Sequence, residues 1–208
     1  MAGLNEIRLY RMTHIENIPH ILRYGITRAS SPNANPNYLP IGDTSIIDKR
    51  NSFVIPNDKM LGQYIPFYFD VRMPMLYVIQ NGYSEVAITR PENIVYTVTN
   101  IQLIIDNKLP FVFSDGHAVS NLSSFYDEIS INNIVNILDF NAIYARYWKD
   151  ENDSDLKRRK EAEFLVEADL PVTALLAGLY VYNDIAKANL INMGVDESLI
   201  YIDKNCYF

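Results

Sequence analysis

Residues 157–171 read KRRKEAEFLVEADLP, a compact cationic run passing directly into an apolar segment closed by Pro171. The segment AEFLVEADLP (162–171) has the composition of a strand, because so short an apolar run between acidic residues does not fill a helix. The cations belong to a wider stretch, RYWKDENDSDLKRRKE (146–161), that holds six positive and five negative residues. Only 157–160 is locally basic. Beyond the strand, ALLAGLYVY (174–182) precedes a short helix, NDIAKANLINMG (183–194), and a final strand, SLIYID (198–203).

Upstream, IRLYRMT (7–13) alternates apolar and polar residues and predicts a strand that ends at His14. IENIPHILRYG (15–25) then places Ile15, Ile18, Ile21 and Leu22 at helical spacing, with Gly25 as its C-cap. Residues 27–62 are rich in Asn, Pro, Ser and Asp, with scattered apolar residues. A stretch of that length with little regular structure is expected to cover a ligand. YIPFYFDVRMPMLYVIQ (64–80) offers two aromatic strands interrupted by Pro74, followed by strands at EVAITR (85–90), NIVYTVTNI (93–101) and LPFVFSDG (109–116). INNIVNILDFNAIYA (131–145) is partly helical in period. Strands outnumber helices in this reading and do not alternate with them, which predicts an α+β fold in a single domain, 1–208.

The chain of 208 residues is 49% apolar, enough for a continuous core, and carries a formal charge of −7. It is therefore no electropositive nucleic-acid binder as a whole, and any phosphate contact must be local. Its one cysteine, Cys206, fits a reducing compartment, and the expected location is the cytoplasm. No apolar run approaches the roughly 20 residues that span a bilayer, so no membrane partner is expected. Three histidines and one cysteine show no metal-ligand spacing. Fifteen tyrosines bring flat faces with polar tips, suited to aromatic ligands or to ordinary strand faces.

Walker A, G-x-G-x-x-G and G-x-S-x-G sequences are absent. Four local features remain: Thr13-His14 at a strand end, Arg50 in the long polar loop, the aromatic run YIPFYF (64–69), and Glu163 behind the cations. Each has an ordinary structural explanation when taken singly: a hydrogen-bonded His, a solvated Arg, core aromatics, a paired carboxylate.

Together they carry a resemblance. LYRMTHIENIPHILRYGI (9–26), IGDTSIIDKR (41–50), LGQYIPFYFDVRMPMLY (61–77), IYARYW (143–148) and KRRKEAEFLV (157–166) resemble, in that order, the DarT family of bacterial toxins. The resemblance runs from about residue 8 to the end of the chain, and the blocks LGQYIPFYFDVRMPMLY and RRKEAEFLV are its most specific parts. It implies an ADP-ribosyltransferase fold, split twisted β-sheets with short helices around an NAD⁺ cleft. It also implies transfer of ADP-ribose from NAD⁺ to a base in single-stranded DNA, thymidine foremost, and a macrodomain antitoxin that reverses the mark. Carried onto this sequence, Glu163 and Arg50 are the catalytic pair, and Thr13, His14, Ile15, Arg50 and Tyr68 bind NAD⁺. Segment 35–54 covers the NAD⁺, and 114–163 is the substrate-recognition region, with His117, Tyr147, Trp148, Arg158 and Arg159 as its DNA contacts.

The chemistry explains the residue types. Cleaving the nicotinamide–ribose bond develops positive charge on the anomeric carbon, and a carboxylate on the nearby ribose hydroxyl stabilises that charge. An arginine offers the pyrophosphate a bidentate fork. It is a poor base, with a pKa above ~12, so the acceptor's proton is expected to leave through His117. Guanine, RNA or a protein side chain are alternative acceptors. A non-enzymatic NAD⁺-binding module is the alternative of another class, and an intact Glu163 and Arg50 argue against it.

Overall fold

The alternation at the N-terminus does produce a strand. β1 (Arg8–His14) pairs antiparallel along its whole length with β3 (Ile94–Asn100), Arg8 opposite Asn100 and His14 opposite Ile94. All seven residues of β3 are buried, as expected of a strand covered on both faces. The computed structural model, which describes residues 3–83, 86–176 and 178–208, contains six further strands. They are β2 (Ile65–Tyr68), β4 (Phe111–Ser114), β5 (Phe125–Tyr126), β6 (Glu163–Val166), β7 (Leu179–Val181) and β8 (Ile200–Ile202). The eight form one sheet in the order β5-β4-β6-β2-β1-β3-β7-β8. Only β7 and β8 run parallel, and the helix between them supplies the crossover that such a pair requires.

The expected split is visible within this single sheet. Its two halves meet at one residue pair, Tyr10 opposite Tyr68, whereas β2 and β6 share four. Arg11 reaches across the gap, its Nη1 donating to the Pro66 carbonyl at 3.0 Å. Phe164 of β6 is fully buried, stacked on Phe111 at 4.7 Å and edge-on to Phe69 at 6.3 Å. Burial of such a ring stabilises by about 1.5–3 kcal/mol, with roughly 0.5–1.5 more from each aromatic pair. The strand that carries Glu163 is thus anchored from its opposite face.

The helix after β1 begins as a 3-10 turn, Ile15–Asn17, and continues as α1 (Ile18–Tyr24). Gly25 ends it at φ 80°, where a Cβ would strike the Leu170 carbonyl, so both the backbone and the space demand glycine. The long polar segment is less irregular than expected, since it contains α2 (Thr44–Ser52). Asp43 caps that helix, accepting from the Ser45 N–H at 2.8 Å, and no residue of the helix is buried. Without a buried face it leaves no apolar period in the sequence.

The second aromatic strand candidate is instead α3 (Pro74–Asn81), with Pro in its first turn, Leu76 and Ile79 buried, and Gly82 closing it at φ 71°. The proline that interrupts a strand is well suited to open a helix, where no N–H is needed. Residues 86–90 form no strand, and Glu85 lies outside the described residues. The remaining helices are α4 (Ile101–Asp106), α5 (Ile134–Ile137), α6 (Phe140–Ile143), α7 (Leu156–Lys160) and α8 (Asp184–Asn192). Helices therefore equal strands among the described residues, because most are one- or two-turn pieces too short to show a period.

Candidate active site

Glu163 is the first residue of β6, and its side chain is only 1% exposed. Both carboxylate oxygens are engaged. Oε2 accepts from Arg50 Nη1 at 2.7 Å, and Oε1 accepts from the Ala118 N–H at 3.0 Å. Its own N–H donates to Ser114 Oγ at 3.3 Å, and that hydroxyl donates to the Gly116 carbonyl at 2.7 Å. Arg50 stands in the last turn of α2, on a helix rather than a loop, and reaches the carboxylate from above the sheet. Its Nη2 is buried and has no partner among the described residues. A buried donor of that kind costs about 1–3 kcal/mol unless something accepts from it.

Tyr68 lies directly opposite Glu163 on β2 and is partly buried. Burial, reinforced by the charges of Glu163 and Glu161, pushes its hydroxyl well above the ordinary tyrosine range, so it acts as a neutral donor. His117 sits on the turn beside the same carboxylate, its N–H donating to the Arg158 carbonyl at 2.9 Å. Burial chiefly lowers its pKa; Glu163 opposes this, while Arg50, Lys157 and Lys49 add to it. Its Nδ1 accepts from the Val119 N–H at 3.4 Å. His117, the expected proton acceptor, thus lies beside Glu163 with its ring held by the following turn.

Sequence reasoning missed Glu161. It is 6% exposed, its carboxylate has no hydrogen bond among the described residues, and its pKa is pushed up to about 7. Burial is the main cause; Lys157 and Lys160 pull it down, and Glu163 adds to the rise. A carboxyl whose pKa rises on folding, here from 4.5 to about 7, binds more protons in the native state. Stability then falls as pH climbs through that window. Glu161→Gln is expected to stabilise the fold at pH 8 by up to about 3 kcal/mol and not at pH 4. Urea denaturation at the two pH values checks this, and an equal effect at both would contradict it.

At the end of β1, Thr13 and Ile15 are buried. Ile15 sends its side chain into the main core, leaving its main chain as the only part for a ligand. His14 caps the following turn, Nδ1 accepting from the Glu16 N–H at 3.3 Å, and burial lowers its pKa. A second missed residue, Asn17, ties this corner to the covering segment. Its Nδ2 donates to Thr13 Oγ1 at 3.0 Å and the Leu39 carbonyl at 2.8 Å, and its Oδ1 accepts from the Leu39 N–H at 3.0 Å. A polar residue directly before Ile18, in the segment IENIPHIL, was the only signal for it.

The expected DNA contacts divide sharply. Tyr147 is 72% exposed and free to stack on a base. Trp148 is packed edge-on to Tyr77 and Phe208, each at 5.6 Å. Arg158 is held by Asp155 at 2.7 Å and Asp115 at 2.8 Å, against Gly116, where a Cβ would collide with it. Arg159 is paired with Asp139, Asp153 and Asp155, and buried Lys160 donates to the Ile143 carbonyl at 2.8 Å and to Asp70 at 3.3 Å. These cations are spent on acidic residues, two of them, Asp153 and Asp155, in the same stretch and three, Asp70, Asp115 and Asp139, brought in from elsewhere in the chain. Only Lys157 of the run is exposed without an ion pair among the described residues. No group of His, Cys, Asp and Glu among the described residues is arranged to hold a metal. No described helix is long and apolar enough to cross a membrane.

The sequence profile described as "ssDNA thymidine ADP-ribosyltransferase, DarT" matches residues 10–208. The chain belongs to the DarT family. A DNA ADP-ribosyl transferase of Thermus sp. (strain 2.9) is 36% identical over 177 residues, 84% of this chain and 81% of the relative. The structure of Thermus sp. 2.9 DarT in complex with ADP-ribosylated ssDNA superposes with a TM-score of 0.82 at 31% identity, over 97% of this chain and 96% of that one. The same DarT in complex with NAD⁺ gives 0.78 at 29% identity, over 97% and 98%. A DNA ADP-ribosyl transferase–DNA ADP-ribosyl glycohydrolase fusion protein of Thermosipho africanus is 31% identical over 76% of this chain and 38% of its own length. DarT membership makes this an ADP-ribosyltransferase, with the fold that the resemblance implied.

Proposed function

We propose that this chain is a toxin that transfers ADP-ribose from NAD⁺ to thymidine in single-stranded DNA and releases nicotinamide. The observation that carries the proposal is the Arg50–Glu163 pair, with one buried guanidinium nitrogen left free, in a DarT chain. Residues 1–208 act as one transferase domain, in which 35–54 covers NAD⁺ and 114–163 reads the substrate. The unpartnered Arg50 Nη2 fits a phosphate or amide oxygen of NAD⁺, and His14, the Thr13 hydroxyl and Tyr68 offer further hydrogen bonds. NAD⁺ supplies the ADP-ribosyl group and its leaving nicotinamide. Glu163 accepts from the ribose hydroxyl and opposes the positive charge that develops at the anomeric carbon. His117, beside the same carboxylate, takes the proton from the acceptor base.

Exposed Lys49 and Lys157 lie close enough to His117 to lower its pKa, and they hold the strand's phosphates. Lys157→Ala is expected to reduce the salt slope of DNA binding by about 1, and Arg159→Ala to lower Tm while leaving the slope alone. Fluorescence anisotropy across a salt series, with thermal melts, separates the two; a flattened slope in the Arg159 variant would show that it is a phosphate contact after all.

The glycohydrolase fused to the Thermosipho relative supports a partner that removes the mark, here a separate macrodomain antitoxin. The single cysteine supports a cytoplasmic location. Mass spectrometry of oligonucleotides incubated with NAD⁺ tests the acceptor. A +ADP-ribose adduct is expected on thymidine, and modification of a thymine-free strand, or of protein only, would rule thymidine out.

A further inference from the structure

Arg158 makes more bonds than a surface charge needs. Its guanidinium forks onto Asp155, Nε to Oδ1 at 2.7 Å and Nη2 to Oδ2 at 2.9 Å, so its plane is fixed at the start of α7. The third nitrogen, Nη1, reaches away from the helix to Asp115 Oδ1 at 2.8 Å and Ser123 Oγ at 3.3 Å. Those two residues stand at the neck of the turn that joins β4 to β5. The Asp115 N–H donates to the Ser124 carbonyl, and the Ser124 N–H donates back to the Asp115 carboxylate. The main chain repeats the link, because the Arg158 carbonyl accepts from the His117 N–H at 2.9 Å. No room is left between turn and helix. A Cβ on Gly116 would stand 2.8 Å from the Arg158 carbonyl oxygen and closer still to Nη1.

This turn carries two of the groups that meet Glu163. The Ala118 N–H donates to Oε1 at 3.0 Å, and His117 lies beside the same carboxylate. No helix or strand runs through residues 115–124 to stiffen them. Ala118 and Val119 are buried against Val112 and Leu165, which holds the turn down. Apolar contact is non-directional, so it does not set the angle or height of an N–H above a carboxylate. Directional bonds do, and the turn receives them from Ser114 at its base, from Glu163 itself and from Arg158 at its side. The helix that supplies Arg158 is rigidly joined to β6. The Ala162 N–H donates to the Arg159 carbonyl at 3.2 Å, and buried Lys160 is bonded to the Ile143 carbonyl and to Asp70.

We propose that Arg158 is a positioning residue for the transfer reaction: it fastens the turn that bears His117 and Ala118 to α7 and so holds both at their working distance from Glu163. The assignment rests on Glu163 and His117 acting as set out above. Arg158 itself touches neither NAD⁺ nor DNA, and its effect passes through the turn. A group displaced by about 1 Å from its productive place costs about 10²-fold in rate, and that loss falls on kcat because the groups that hold NAD⁺ are untouched.

Two variants test this. Arg158→Met removes the fork, and Gly116→Ala wedges the turn away from α7 while keeping every charge. Both are expected to lower kcat for transfer to a thymidine-containing strand by about 10²-fold, with the KM for NAD⁺ unchanged. Titration of His117, followed by NMR of its imidazole C–H signals without substrate, is expected to move up toward the ordinary histidine range in both, since burial is what lowers it. Arg158→Met also uncovers Asp115, whose charge alone would raise that pKa. Gly116→Ala uncovers no charge, so a rise there reads position. The salt slope of DNA binding is expected to stay at its wild-type value in both. Unchanged kcat in either folded variant, or a His117 titration that stays put in Gly116→Ala, overturns the proposal. So does a slope reduced by about 1 in Arg158→Met, which would make Arg158 a phosphate contact. If Arg158→Met does not fold, Gly116→Ala decides alone. If wild type modifies no strand, the transferase reading falls, while the His117 titration still decides whether Arg158 sets the turn.

Discussion

Glu163→Gln is expected to reduce ADP-ribosyl transfer by about 10²–10³-fold or more while leaving the protein folded. The reasoning starts from the two donors the carboxylate satisfies, Arg50 Nη1 at 2.7 Å and the Ala118 N–H at 3.0 Å. A glutamine has one acceptor oxygen, so it keeps one of these bonds and turns an N–H₂ group toward the other donor. The unmatched donor costs about 1–3 kcal/mol of stability, small enough for the fold to survive. The catalytic loss is larger because the full negative charge opposite the developing ribosyl cation is gone. Single-turnover transfer to a thymidine-containing oligonucleotide, with urea denaturation of the same preparation, reads both effects. Near-wild-type turnover in a folded variant would falsify the role of Glu163 and move the catalytic carboxylate elsewhere.

Arg50 is expected to separate two functions when replaced in two ways. Arg50→Ala strands a carboxylate that is 1% exposed, and an unpaired buried charge costs about 3–5 kcal/mol. Arg50→Lys restores a cation beside Oε2 and is expected to recover most of that stability. It cannot supply the planar fork whose second nitrogen, Nη2, is buried and unpartnered here. The lysine variant is therefore expected to fold and to lose about 100-fold in transfer, with a raised KM for NAD⁺. Denaturation and initial-rate kinetics on the three proteins check this. A lysine variant with unchanged kcat/KM would mean that Nη2 has no ligand to meet.

How far the sequence carried depended on whether an element buries one face. β1, β3, β4 and β6 each declare themselves by alternation or by a short apolar run, and each lies where it was expected. α2 buries nothing, and α3 is written in a continuous apolar run, Met75 to Ile79, that reads equally well as a strand. Glu163 and Arg50 were legible through resemblance, since one carboxylate among 25 acidic residues has no local signature. Glu161 was not legible, because its burial depends on how α7 meets β6.

The sequence by itself determined the family, the strand–His–helix opening, the long polar segment and the acid that heads a buried strand. It also determined that the charged stretch 146–161 was nearly neutral. Only the tertiary structure decided which charges are free. Arg158, Arg159 and Lys160 are held by Asp70, Asp115, Asp139, Asp153 and Asp155, while Lys157 stays in solvent. It also brought Arg50 to Glu163 across 113 residues and seated the Nδ1 atoms of His14 and His117 on backbone N–H groups. A charge looks the same in sequence whether paired or exposed, and its energy is set by the neighbours and the water that folding leaves around it.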